Sequence, residues 1–155
     1  MTESGEAQLR EFEVVRRELD ERGVYASTTS GTSMRPLFKT HRDVVILEKP
    51  SYAPKKYDVV LYPGKSEKFV LHRIIGERGD NYLIRGDNTY QTEIVPKSEI
   101  VAVLTAFNRK GKHHTTDERL YKCYSRIWNF IYPIRYLIYG ARRILGKIKR
   151  KILGR

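Results

Sequence analysis

One hydroxyl, one imidazole and two carboxylates occur in this chain in an order that could perform acyl transfer. Ser33 lies in TSGTSMRPLF (29–38), a turn held between Gly31 and Pro36. A serine hydroxyl stays protonated at neutral pH, so it becomes a nucleophile only beside a base. Of four histidines, His41 follows the serine loop, and His113 and His114 fall in a polar stretch. His72 differs, because it interrupts the apolar run FVLHRII, where alternation sends its neighbours Leu71 and Arg73 to the opposite face. A strand histidine is more often a satisfied core residue than a catalytic one. A buried neutral imidazole nevertheless needs an oriented hydrogen bond, which is also what a general base needs. Asp87, in the turn RGDNT, is an acid that could supply it, and Glu93 is another.

Several elements must position these groups. Residues 5–22 carry Leu9, Phe12, Val15 and Leu19 at helical spacing and stop at Gly23. From residue 24 the pattern changes to short β-branched and aromatic runs: VYAST (24–28), DVVILE (43–48), YDVVLY (57–62), KFVLHRIIG (68–76), NYLIRG (81–86) and EIVAVLTAF (99–107). Turn-forming clusters separate them, so six strands predict a compact, mostly antiparallel sheet or partly open barrel. NRKGKHHTTDE (108–118) reads as a polar linker. Residues 119–155 read as helical again, with a continuous seam through Ile127, Ile131, Ile134, Ile138, Ala141, Leu145, Ile148 and Ile152, broken or kinked at Pro133. The expected organisation is an amphipathic helix (1–22), a β domain (23–107), a linker (108–118) and a basic helical tail (119–155).

Charge is unevenly placed. The net charge is +12, yet residues 119–155 hold 11 of the 30 Lys and Arg and no acid, which leaves residues 1–118 near neutrality. Basic character therefore belongs to the tail. Packing the seam on the domain, binding nucleic acid and lying on an anionic membrane are the three readings of such a helix. Its aromatic clustering favours the membrane, with Trp128, Arg135, Arg142, Arg143, Lys147, Lys149, Arg150 and Lys151 as the binding set and Phe130, Tyr132, Tyr136 and Tyr139 near the headgroups. Nucleic acid would leave the seam unused. The single cysteine, Cys123, excludes an internal disulfide framework. The polar, acidic N-terminus carries no secretory-signal pattern, and no run of apolar residues reaches the ~18 of a membrane span. A cytoplasmic protein attached peripherally to the membrane is the expectation. Neighbouring histidines without further ligands assign no metal, and a serine mechanism needs no cofactor.

The order of motifs carries more than any one of them. Ser-Met-Arg-Pro (33–36), Tyr-Asp-Val-Val (57–60), Leu-His-Arg-Ile (71–74) and Gly-Asp-Asn (86–88) together resemble the type I signal peptidases, over roughly residues 29–107. The histidine is similar to the endoplasmic-reticulum-type branch, where other members use lysine. The resemblance implies a serine endopeptidase that cleaves a leader or signal-like peptide. Ser33 is then the nucleophile, His72 the base, and Glu93, six residues beyond Asp87, the orienting acid ahead of Asp87 itself. It implies an oxyanion region around Gly31, Thr32 and Met34. Two departures stand out. Gly31 occupies a position where the family often has serine, and a charged helix stands where members usually carry a membrane anchor. The LexA-type self-cleaving repressors share this fold, but they use lysine and an N-terminal DNA-binding domain that 22 residues cannot form. The alternative to an enzyme is a catalytically inactive, membrane-associated peptide-binding module.

Overall fold

The computed structural model describes residues 3–64 and 68–141, with side chains from residue 12 onward. Helix α1 (Glu3–Arg22) leads into strands β1 (Val24–Thr28), β2 (Val44–Glu48), β3 (Val59–Pro63), β4 (Phe69–Arg78), β5 (Asn81–Arg85), β6 (Glu93–Pro96), β7 (Ala102–Arg109) and β8 (Lys112–Thr115). Helix α2 (Arg119–Phe130) follows, and a further helical segment, α3, covers 132–141. All strand pairings are antiparallel. The sheet order is β1-β2-β7-β3-β4-β5-β6, with β8 also on β7. This is a half-barrel flanked by one N-terminal and two C-terminal helices.

α1 ends where its pattern predicts. Gly23 adopts φ 71°, and its N–H reaches the Leu19 carbonyl at 3.1 Å, a left-handed helix stop that glycine reaches without steric cost. Val15 and Leu19 are buried against Met34, Leu37, Phe38, Val45, Leu47 and Leu61, while Phe12 stacks on Phe69 at 3.9 Å between centroids. Burying one such aliphatic side chain stabilises by about 1.5–3 kcal/mol. The helix therefore closes one side of the half-barrel. Leu9 lies outside the described side chains.

Residues 108–118 are not a linker. β7 runs to Arg109 and turns through Lys110 (φ 52°) and Gly111 (φ 76°) into β8, pairing Arg109 with Lys112 and Phe107 with His114. Two left-handed residues between strands make the tight hairpin turn whose twist matches the strands. The charged residues here sit on an edge strand, where polar side chains are tolerated.

The tail splits near Pro133, as the proline predicts. Of its seam, Ile127, Ile134 and Ile138 are exposed and Ile131 is half-buried, while Leu145, Ile148 and Ile152 lie outside the described residues. The inward face is built from Tyr121, Tyr124, Ser125 and Trp128. Ser125 and Tyr121 are buried, and both bond the Arg73 guanidinium.

Candidate active site

The serine loop is anchored from below. Met34, Leu37 and Phe38 enter the core, and the turn closes with Arg35 N–H on the Thr32 carbonyl and Phe38 N–H on the Met34 carbonyl. The base of the loop is tied at Asp43, wholly buried, which accepts the Lys39 N–H at 2.7 Å and an Arg42 fork. Arg42 helps hold the Asp43 carboxyl below its usual pKa against the opposing effect of burial. Ser33 thus sits half-exposed on a loop whose two neighbouring segments are fixed. Its N–H and Oγ have no hydrogen-bond partner among the described residues.

The β3–β4 hairpin delivers His72. Val60 pairs with His72 and Val59 with Arg73, so the two side chains leave opposite faces of the strand. Ile74 pairs with Ile84 in β5, and Ile84 pairs with Glu93 in β6. Two successive registers therefore bring Glu93 beside β4 although it is 21 residues distant in sequence, and its Oε1 lies 3.1 Å from His72 Nδ1. The Tyr62 hydroxyl, two residues along β3 from Val60, is 3.2 Å from the same nitrogen. Burial, with Glu93 adding to it, pushes the Tyr62 phenol far above its ordinary pKa, so it stays protonated. With Nδ1–H donating to Glu93 Oε1 and the Tyr62 hydroxyl oxygen beside it as a second acceptor, Nε2 is left as the basic nitrogen. Burial lowers the His72 pKa, and Glu93 only partly offsets that effect, so the ring is neutral near pH 7.

Gly86 joins the two halves. A Cβ at this position would lie 2.7 Å from the Ser33 carbonyl oxygen and 2.9 Å from His72 Nε2, closer than real contacts allow. The absence of a side chain there lets the serine loop and the imidazole share one space. The next residues clamp the loop: Asn88 N–H donates to the Ser33 carbonyl at 2.7 Å, and Asn88 Nδ2 to the Thr32 carbonyl at 3.2 Å. Ser33, His72 and Glu93 all line a cleft of about 330 Å³, walled on one side by the hydroxyl run Ser27 to Ser30 and elsewhere by apolar residues such as Val15, Val45, Leu47, Leu61 and Leu71. β5 pairs with β4 only from Arg73 onward, so, among the described residues, positions 69–72 pair with β3 on one side alone.

Asp87 stands elsewhere. Its two oxygens are both taken by Arg73, through Nε and Nη2 at 2.8 Å each, and Tyr124 donates a further bond at 2.9 Å. As a hydrogen-bond partner of His72 it is replaced by Glu93, because alternation points Arg73, and the acid that follows it, away from the imidazole. Of the oxyanion candidates, Gly31 and Met34 line the cleft and Thr32 does not; the neighbouring Ser30 lines it as well. Gly31 takes φ 77°, and its carbonyl accepts from Thr40 Oγ1.

Trp128 and Arg135 are not displayed on the outside of the tail. Trp128 Nε1 donates to the Asp87 carbonyl at 2.8 Å and Arg135 Nη2 to the same oxygen at 2.7 Å, with the guanidinium over the indole at 3.8 Å. Tyr132 likewise turns inward, bonding the Tyr90 carbonyl and lying over Arg85. Aromatic residues with polar tips serve here to dock a helix on main-chain carbonyls. Arg142, Arg143, Lys147, Lys149, Arg150 and Lys151 lie outside the described residues. His113 bonds Asn108 and His114 bonds Glu118, and no metal-ligating cluster occurs among the described residues.

Tyr62 was missed in the sequence. The signal for it is the hairpin itself: once Val60 opposes His72, Tyr62 is the diagonal neighbour on the same face. Compared with models of known protein families and with curated protein sequences, the chain matches none.

Proposed function

We propose that the chain is a serine endopeptidase similar to the histidine-base signal peptidases, acting on an extended, leader-like peptide. The observation that carries this is the meeting of the Ser33 loop and His72 Nε2 over Gly86, with Nδ1 already held by Glu93. In the reaction Ser33 Oγ attacks the scissile carbonyl carbon and its proton passes to Nε2. Glu93 stabilises the imidazolium, and the unpaired Ser33 N–H supplies one oxyanion donor. The proton on Nε2 then goes to the departing amine, and water, activated by the same nitrogen, releases the acyl group. The one-sided edge of β4 at residues 69–72 suits main-chain pairing with the peptide, and the apolar part of the cleft, at Val15, Val45, Leu47, Leu61 and Leu71, suits small apolar side chains.

The test is cleavage of a leader-peptide library by the purified chain and by Ser33→Ala. Loss on the order of 10⁶-fold in turnover with unchanged thermal unfolding is expected; equal cleavage by both proteins would overturn the assignment. Peptide binding without turnover in the native chain would favour the peptide-binding module. The unformed hydrogen bond between Ser33 Oγ and Nε2 is the observation on that side.

The same proposal seats the tail on an anionic membrane surface. None of the described helices is long and apolar enough to cross a membrane. Leu120, Phe130, Ile134 and Leu137 are each at least 60% exposed, on a segment with 11 cations and no acid. Each cation near an anionic surface contributes about 1 kcal/mol. Flotation with phosphatidylglycerol vesicles, but not with phosphatidylcholine vesicles, is expected; indifference to both would remove the membrane from the reading.

A further inference from the structure

The tail does more in this fold than present an outer face. Its inner face converges on one peptide unit. Trp128 and Arg135, from α2 and α3, both donate to the Asp87 carbonyl, and Tyr124 donates to the Asp87 carboxylate. Ser125 and Tyr121 hold the Arg73 guanidinium that forks onto that same carboxylate. Five tail side chains thus bear on one turn. Besides holding Arg73, that turn, Gly86-Asp87-Asn88, touches the serine loop. Asn88 N–H holds the Ser33 carbonyl, Asn88 Nδ2 holds the Thr32 carbonyl, and Gly86 is the contact between the Ser33 main chain and His72.

We infer that the C-terminal helix pair is a latch for the nucleophile loop, with Trp128 and Arg135 as positioning residues that act on Ser33 through Asp87 and Asn88. The chain of contacts is short: indole and guanidinium to the Asp87 carbonyl, one residue along to the Asn88 amide, then to the Ser33 carbonyl at 2.7 Å. A carbonyl held by two donors, one of them charged, cannot swing without losing both. Rotation of the peptide between Asp87 and Asn88 is the motion that would redirect the Asn88 N–H and free the Ser33 carbonyl. Half-buried indole and guanidinium groups are well suited to this, because neither depends on the core for its place. The consequence for catalysis rests on the serine endopeptidase reading; the mechanical coupling does not.

Two variants test it. Trp128→Phe keeps an aromatic ring and removes one donor; combined with Arg135→Met, which keeps an unbranched stem, it removes both. Amide hydrogen exchange is read at Asn88, with Ile74, whose N–H bonds the Asp58 carbonyl inside the sheet, as the internal reference. Exchange at Asn88 should rise about thirtyfold in the double variant while Ile74 is unmoved, since two donors of about 1 kcal/mol each are removed and each ~1.36 kcal/mol is tenfold. In the cleavage assay kcat should fall and KM stay close to native, and the acidic limb of the pH–rate profile should stay in place because the His72–Glu93 pair is untouched. Native protection at Asn88 in the double variant overturns the latch. So does a rise matched by Ile74 that the single Trp128→Phe variant does not separate from it. If the native chain cleaves nothing, the endopeptidase reading fails, and the exchange ratio still decides the latch.

Discussion

His72 and Arg73 are adjacent on β4, and each is paired with a carboxylate from a later turn or strand. Arg73 and Asp87 have side chains 0% and 2% exposed, joined by two bonds of 2.8 Å and surrounded by Tyr121, Tyr124 and Ser125. His72 and Glu93 have side chains 9% and 32% exposed, joined by one bond of 3.1 Å at the wall of a cleft. Burial works against the charged guanidinium, yet Asp87, with Tyr121, holds Arg73 above its already high pKa. On the other face burial wins over Glu93, and the imidazole is left neutral. One pair is satisfied on every side and can only hold. The other keeps one nitrogen open, which is the condition for moving a proton.

Removing a partner separates the two most sharply at the buried pair. Asp87→Ala leaves the Arg73 cation in the core with only neutral acceptors, and an uncompensated buried charge costs about 3–5 kcal/mol. Chemical denaturation should show a loss of that size, with no change in the denaturant slope if folding remains two-state. A loss below about 1 kcal/mol, the range of surface pairs, would mean that the pair is far wetter than its burial indicates.

The same operation at the open pair should leave stability almost untouched and strike turnover instead. Glu93→Gln keeps an acceptor for Nδ1–H and removes the charge that stabilises the imidazolium. Tyr62 remains in place, so the expected loss in kcat/KM is about a hundredfold, toward the low end of what acid–base groups supply. A stability change larger than the rate change would place Glu93 with Asp87, as a structural carboxylate.

The two pairs were unequally visible in the sequence. Alternation along FVLHRII already sends positions 72 and 73 apart, and that single rule separates the two roles. It did not say which acid goes with which base, because the answer depends on register across three strands. Ile74 opposite Ile84 and Ile84 opposite Glu93 are facts of pairing that no local pattern in QTEIVPKSE encodes. The docking face of the tail was hidden for a related reason. Periodicity finds the apolar seam at Ile127, Ile134 and Ile138, but the face that docks is Tyr121, Tyr124, Ser125 and Trp128, whose grip comes from hydroxyls and an indole N–H on main-chain carbonyls. A hydrophobic pattern is blind to such docking. β8 was hidden by its composition: Lys-Gly in the left-handed turn replaces the Asn-Gly that announces a hairpin, and the strand it opens carries KHHT.

The smallest effect is the most discriminating. Because burial lowers the folded-state pKa of His72, the acidic limb of kcat/KM should fall below the ordinary histidine value of about 6.5. In that window the unfolded chain carries a proton on this ring that the folded chain does not. Stability therefore rises with pH up to the unfolded value and is flat beyond it. Glu93 opposes the burial effect, so Glu93→Gln removes an interaction that favours the charged ring and should carry the limb to still lower pH. On the endopeptidase reading an orienting acid thus makes the base stronger, and its loss makes turnover slower while extending it to lower pH. Asp87→Asn, in which the charge is farther from the ring and bound to Arg73, should move the limb in the same direction and by less. A limb that shifts more in Asp87→Asn than in Glu93→Gln would exchange the roles of the two carboxylates.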